Sequence, residues 1–207
     1  MASALSYGSR TQFMHKIEDI VVMADGDVYR WIADGAYKSL FSPSDNRCFY
    51  RFYTHATMYR FFEDYRSLLL SHTSLKDYIA ACLHHDTGAL GCVKAICSYF
   101  NNNGSSPVIP RDTSSACKRI NMFLRWMVRD NSPVDLGLWS DIVDKSTLIM
   151  PLDTHVLQQS VSLHLLNSKT ANMNAAIKLS TLLNEIFPGD PLKGDFALFG
   201  YGVNAGK

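Results

Sequence analysis

The chain has 207 residues, 47% of them hydrophobic, which is enough to bury one sizeable core or two small helical lobes and excludes a disordered tail. With 20 Lys and Arg against 19 Asp and Glu the formal charge is only +1, so any affinity for nucleic acid has to come from a local basic patch. The five cysteines, at 48, 82, 92, 97 and 117, have neither a metal-ligand spacing nor an even count, and no apolar run reaches the length of a membrane span; reduced thiols in a cytoplasmic protein without a membrane partner are expected.

In chain order, apolar residues at spacings of three and four predict helices near 1–24, 27–40, 54–70, 75–84, 88–101, 114–129, 138–144, 154–165, 171–186 and 193–203. Strands are hard to find. Met1 to Tyr7 reads like the middle of a helix, which suggests that the chain begins inside a longer protein. Loops are marked by Ser42-Pro43-Ser44-Asp45-Asn46, by the Asn-rich run from Asn101 to Pro107 and by Pro188-Gly189-Asp190-Pro191. The polar loop at 101–113 is the candidate boundary between two lobes of a single 1–207 domain.

Arg47-Cys48-Phe49-Tyr50-Arg51-Phe52-Tyr53 interleaves cations with aromatics. Such a run either stacks on an extruded base or single strand, or packs as a helix start with two surface arginines; the packed start is preferred here. His84-His85-Asp86 has metal-ligand residue types, but adjacent residues point to different sides of a helix and no partner stands at i+4, so no metal is expected. No cofactor and no protein partner are inferred.

On the 114–129 segment, Ile120, Phe123, Leu124 and Met127 make an apolar stripe, while Lys118, Met122, Arg125 and Arg129 share another face. Three cations on one side read most simply as a solvated basic face. Asp153, after Pro151-Leu152 and before Thr154-His155, reads as a helix N-cap. A lysine and an aspartate together also have a chemistry. Breaking an N-glycosidic bond builds positive charge on the sugar; a carboxylate stabilises that charge or activates the nucleophile, and an amine can attack C1′ to form a Schiff base. The amine must first lose its proton, which burial and neighbouring cations such as Arg119 and Arg125 favour.

Ser115-Ala116-Cys117-Lys118-Arg119-Ile120-Asn121-Met122-Phe123-Leu124-Arg125 and Ile149-Met150-Pro151-Leu152-Asp153-Thr154-His155-Val156 together resemble the active site of the helix-hairpin-helix DNA glycosylases. The resemblance extends to the archaeal-type 8-oxoguanine enzymes through Asp195-Phe196-Ala197-Leu198-Phe199-Gly200-Tyr201 and Ala205-Gly206-Lys207. As a whole the chain resembles the bacterial DUF2400 family, through Cys117-Lys118-Arg119, Phe123 to Arg129, Asp135-Leu136-Gly137-Leu138-Trp139, Pro151 to His155 and Asp195 to Gly200. Thr113-Ser114-Ser115-Ala116-Cys117 stands where the glycosylase hairpin carries glycines, and Asp153 follows Lys118 by 35 positions (153 − 118), a longer interval than is usual there.

These likenesses imply an all-α, helix-hairpin-helix DNA glycosylase-like fold, with two helical lobes and a cleft between them. They imply a bifunctional DNA glycosylase and abasic-site lyase for an oxidised purine such as 8-oxoguanine, with DNA as partner, Lys118 as Schiff-base nucleophile and Asp153 as its carboxylate partner. Arg119, Arg125, Arg129 and His155 would contact DNA, and Met122, Trp126, Phe196 and Lys207 would form the substrate pocket. Read from the residues alone, Trp126, Trp139 and Phe196 are expected in the core rather than in a pocket. The alternative function is a catalytically inactive nucleic-acid-binding or interaction module on the same scaffold.

Overall fold

Gly8, at φ +79°, ends the first short helix in a backbone conformation that side chains disfavour, and a Cβ there would meet the Arg51 guanidinium at 2.7 Å. The helix expected over 1–24 is therefore two, α1 (Ala2–Leu5) and α2 (Arg10–Met23). The computed structural model describes residues 1–83, 88–102 and 107–205, and divides into two units, Met1–Ala81 with Ala95–Arg111, and Cys82–Lys94 with Asp112–Lys207. Ten α-helices and a single two-stranded sheet are found among the described residues, an all-α architecture. No described helix is long and apolar enough to cross a membrane.

In the first unit α3 (Val28–Ala33) starts at Asp27, whose carboxylate accepts from the Arg30 N–H at 2.9 Å, and stops before a 3-10 turn over Ala36–Ser39. The run from Arg47 to Tyr53 is a hairpin rather than a helix start: β1 (Cys48–Tyr50) pairs antiparallel with β2 (Tyr53–Thr54). Phe49, Tyr50 and Tyr53 are buried while Arg47, Arg51 and Phe52 stay outside, so three aromatics anchor the hairpin. Thr54 then caps α4 (His55–His72) by accepting from the Thr57 N–H. Met58, Phe61, Phe62, Leu68 and Leu69 form its buried stripe. Trp31 meets Phe62 at 5.2 Å, Tyr37 at 5.8 Å and Phe41 at 6.2 Å, all edge to face, so aromatic pairs dominate this core. Helices α5 (Leu75–Leu83) and α6 (Ala89–Asn102) follow, and the division between units falls within both.

The second unit is built from α7 (Lys118–Val128), α8 (Thr154–Ser162), α9 (Met173–Ile186) and α10 (Lys193–Ala205). Ile120, Leu124 and Val128 bury one side of α7, and α10 packs on α8. Gly194 admits the start of α10 against α9, since a Cβ there would stand 2.7 Å from a Leu183 methyl. The expected helix at 138–144 is a series of turns. The Leu136 N–H bonds the Trp126 carbonyl and the Trp139 N–H bonds the Met127 carbonyl, both at 2.7 Å, closing the otherwise open C-terminus of α7.

Candidate active site

Cys117, held at φ +45°, sets the start of α7, so the helix expected from 114 opens at Lys118. Ahead of it Ser115 bridges to Asn172, and the Ser114 N–H bonds the Asp112 carboxylate at 2.8 Å. The loop before α7 is braced by that bridge and that side chain. Lys118 is thus the first residue of a rigid helix, and its position is fixed by the chain before it.

Asp153 caps α8. One carboxylate oxygen accepts from the Val156 N–H at 2.8 Å, and the other accepts from the Lys118 amine at 2.7 Å. The preceding strand-like run is tied to α9 where the Met150 N–H bonds the Ser180 hydroxyl at 2.7 Å. The two side chains are 43% and 28% exposed, so the pair is open to a ligand. It faces a pocket of about 270 Å³ lined by Lys118, Met122, Arg125, Pro151, Asp153, Val156, Asp195 and Phe196. That volume is at the small end for a ligand site and suits one compact, base-sized group. Every lining residue belongs to the second unit, so this pocket does not need the cleft between lobes that the resemblance implied.

Two carboxyls in this pocket are pushed apart. Burial raises the pKa of Asp153, but the hydrogen bonds from Lys118 and Val156 and the charges of Lys118 and His155 outweigh it, and the net shift is downward. Burial also raises Asp195, and the nearby Asp153 anion adds to it; the charge and hydrogen bond of Arg125 oppose the shift without cancelling it. Asp153 stays ionised, whereas Asp195 takes a proton more readily than an ordinary carboxylate.

The wall behind Asp195 is a buried ion network. Arg125 bonds Asp135 at 3.2 Å and also pairs with Asp195; Arg129 bonds Asp135 at 3.0 Å and grips Asp190 through both oxygens at 3.0 Å. The Arg125 guanidinium lies 4.5 Å from the centre of the Phe196 ring and Arg129 lies 5.9 Å from it. Arg129, expected from the sequence to contact DNA, is only 7% exposed, its guanidinium enclosed and committed to two carboxylates. Arg125 faces the pocket with its donors shared between Asp135 and Asp195, so the expected stripe of three surface cations is not formed. Arg119 is half-buried and His155 is exposed.

Met122 and Phe196 line the pocket, Phe196 with 48% of its surface exposed. Trp126 is half-buried outside that lining, and Trp139 is core, edge-on to Phe123 at 5.2 Å. Lys207 and His84-His85-Asp86 lie outside the described residues. Sequence reasoning did not place Asp195, Pro151 or Val156 in the pocket, nor Asp135 and Asp190 around the arginines. No local signal marked this network, since Asp190 and Asp195 lie more than sixty residues beyond Arg125 and Arg129.

The fold and this pocket define an all-helical protein whose second unit presents a lysine and a carboxylate, each at a helix start. The family model described as a protein of unknown function, DUF2400, matches residues 1–204, and the chain belongs to that family. No curated protein and no solved structure matches it.

Proposed function

We propose that this protein is a DNA glycosylase and abasic-site lyase acting on an oxidised purine such as 8-oxoguanine, on a scaffold of the helix-hairpin-helix glycosylase kind. The observation that carries the reading is the 2.7 Å Lys118–Asp153 pair, open to a base-sized pocket. The target nucleotide is extruded from the duplex so that its glycosidic bond reaches that pair. Lys118 gives up a proton to water, its free amine attacks C1′, and the ionised Asp153 carboxylate stabilises the positive charge that builds on the sugar. The C1′–N bond breaks, its electron pair leaves with the base, and a proton from water neutralises the departing base. The nitrogen of the new C–N bond loses a proton to water and O4′ takes one up as the C1′–O4′ bond breaks, which gives the Schiff base. Water then removes the C2′ proton, and the C3′–O bond breaks with its electron pair leaving on the 3′ phosphate.

Arg119 and His155, near the opening helix turns, supply phosphate contacts in this reading. Single-turnover incision of duplex DNA carrying 8-oxoguanine tests it. Wild-type protein is expected to release the base and cut the strand. Lys118→Gln is expected to lose both activities, and Asp153→Asn to slow them by about 100-fold or more. Incision by Lys118→Gln at the wild-type rate would overturn the assignment.

A further inference from the structure

The β1–β2 hairpin carries a second feature that the lysine chemistry does not use. Its turn residues are Arg51 and Phe52, and Phe52 is 80% exposed, the most exposed large apolar side chain among the described residues. The hairpin beneath it is not loose. Phe49, Tyr50 and Tyr53 are all buried, the Tyr50 hydroxyl donates to the Tyr7 carbonyl, and the Tyr7 ring packs edge-on to Tyr50 at 5.2 Å and Tyr53 at 5.3 Å. The Cys48 thiol closes the turn by donating to the Arg51 carbonyl at 3.4 Å.

Arg51 sits at φ +52°, a conformation that a residue other than glycine adopts only where its surroundings impose it. Its guanidinium rests 5.9 Å from the centre of the Tyr7 ring and against Gly8, where even a methyl group would collide. Arg51 forms no ion pair among the described residues, whereas its neighbour Arg47 is held by Asp45. A cation packed on Tyr7 and Gly8 is thus followed in the chain by a solvent-exposed ring.

We propose that this turn is a recognition finger for single-stranded nucleic acid, with Phe52 stacked on an unpaired base and Arg51 on the adjoining phosphate. A nucleotide presents a π-face and an anion at that short separation, and both halves of the finger match it. An acidic protein surface supplies only the anion. The proposal shares with the preceding section the nucleic-acid class of ligand and nothing of its chemistry.

Equilibrium binding of fluorescein-labelled oligothymidine tests it without any covalent step, so failure of the Lys118 reaction does not decide the result. Phe52→Ala is expected to weaken binding about 5- to 150-fold, the loss of one stacked base, with unchanged circular dichroism and melting temperature because the side chain lies outside the core. Arg51→Gln is expected to reduce the salt dependence by about one phosphate contact. Unchanged affinity in Phe52→Ala, or no binding of oligothymidine by the wild type, overturns the proposal. Binding to phosphatidylserine vesicles that requires Phe52, without oligothymidine binding, overturns it in favour of a membrane surface.

Discussion

Asp153 shows how one side chain serves the fold and the candidate site together. Its two oxygens are divided, one to the Val156 N–H and one to the Lys118 amine, so the cap aims the carboxylate that the amine meets. The two roles can be separated by substitution. Asparagine caps a helix about as well as aspartate, whereas alanine in its place costs about 1 kcal/mol. Asp153→Asn should therefore unfold at nearly the wild-type denaturant concentration and Asp153→Ala at a lower one, while both lose the ion pair. Equal destabilisation by the two substitutions in chemical denaturation would show that the capping bond contributes nothing.

At the scale of elements, the helical content and the start of α8 were legible because capping types and apolar periods are local properties. Asp153 as a cap needed no tertiary information, whereas the start of α7 at Lys118, four residues after the expected one, is set by Cys117 in a left-handed conformation without a side-chain cap. The misread elements failed for tertiary reasons. Residues 138–144 carry a helical pattern but form only turns, in a segment anchored to the end of α7 by the Leu136 and Trp139 N–H groups. The 1–24 run breaks at Gly8 because Arg51, 43 residues later, needs the space. Arg125 and Arg129 looked like a solvated basic stripe. Only the fold shows Asp135, Asp190 and Asp195 converging on them from three other places in the chain. Buried pairs of this kind are costly to break one partner at a time, which makes the network a rigid backing for the Asp195 and Phe196 wall.

One element carries a pH dependence of its own. Asp64 lies on the buried side of α4, and burial, with the charge of Glu63 adding to it, pushes its carboxyl up to about 7. The folded state therefore keeps a proton that the unfolded chain gives up near the ordinary value of about 3.9. That contribution to stability is complete below about pH 4 and is lost as the pH rises through about 7. The melting temperature of the wild type should fall across that interval, and Asp64→Asn should flatten the fall. An unchanged slope in the variant would place the titration elsewhere.

For the molecule as a whole, a formal charge of +1 means that neither proposed contact with nucleic acid draws on a general positive field. Each rests on a local arrangement, the Lys118–Asp153 pocket in the second unit and the Arg51–Phe52 turn in the first. Borohydride trapping on duplex DNA with an abasic site, comparing wild type with Lys118→Gln, tests the central claim most directly, because reduction fixes the C=N bond between the amine and C1′ as a stable amine. A covalent protein–DNA adduct that disappears in Lys118→Gln is the result this account predicts; no adduct with the wild type, or an adduct that persists in the variant, would contradict it.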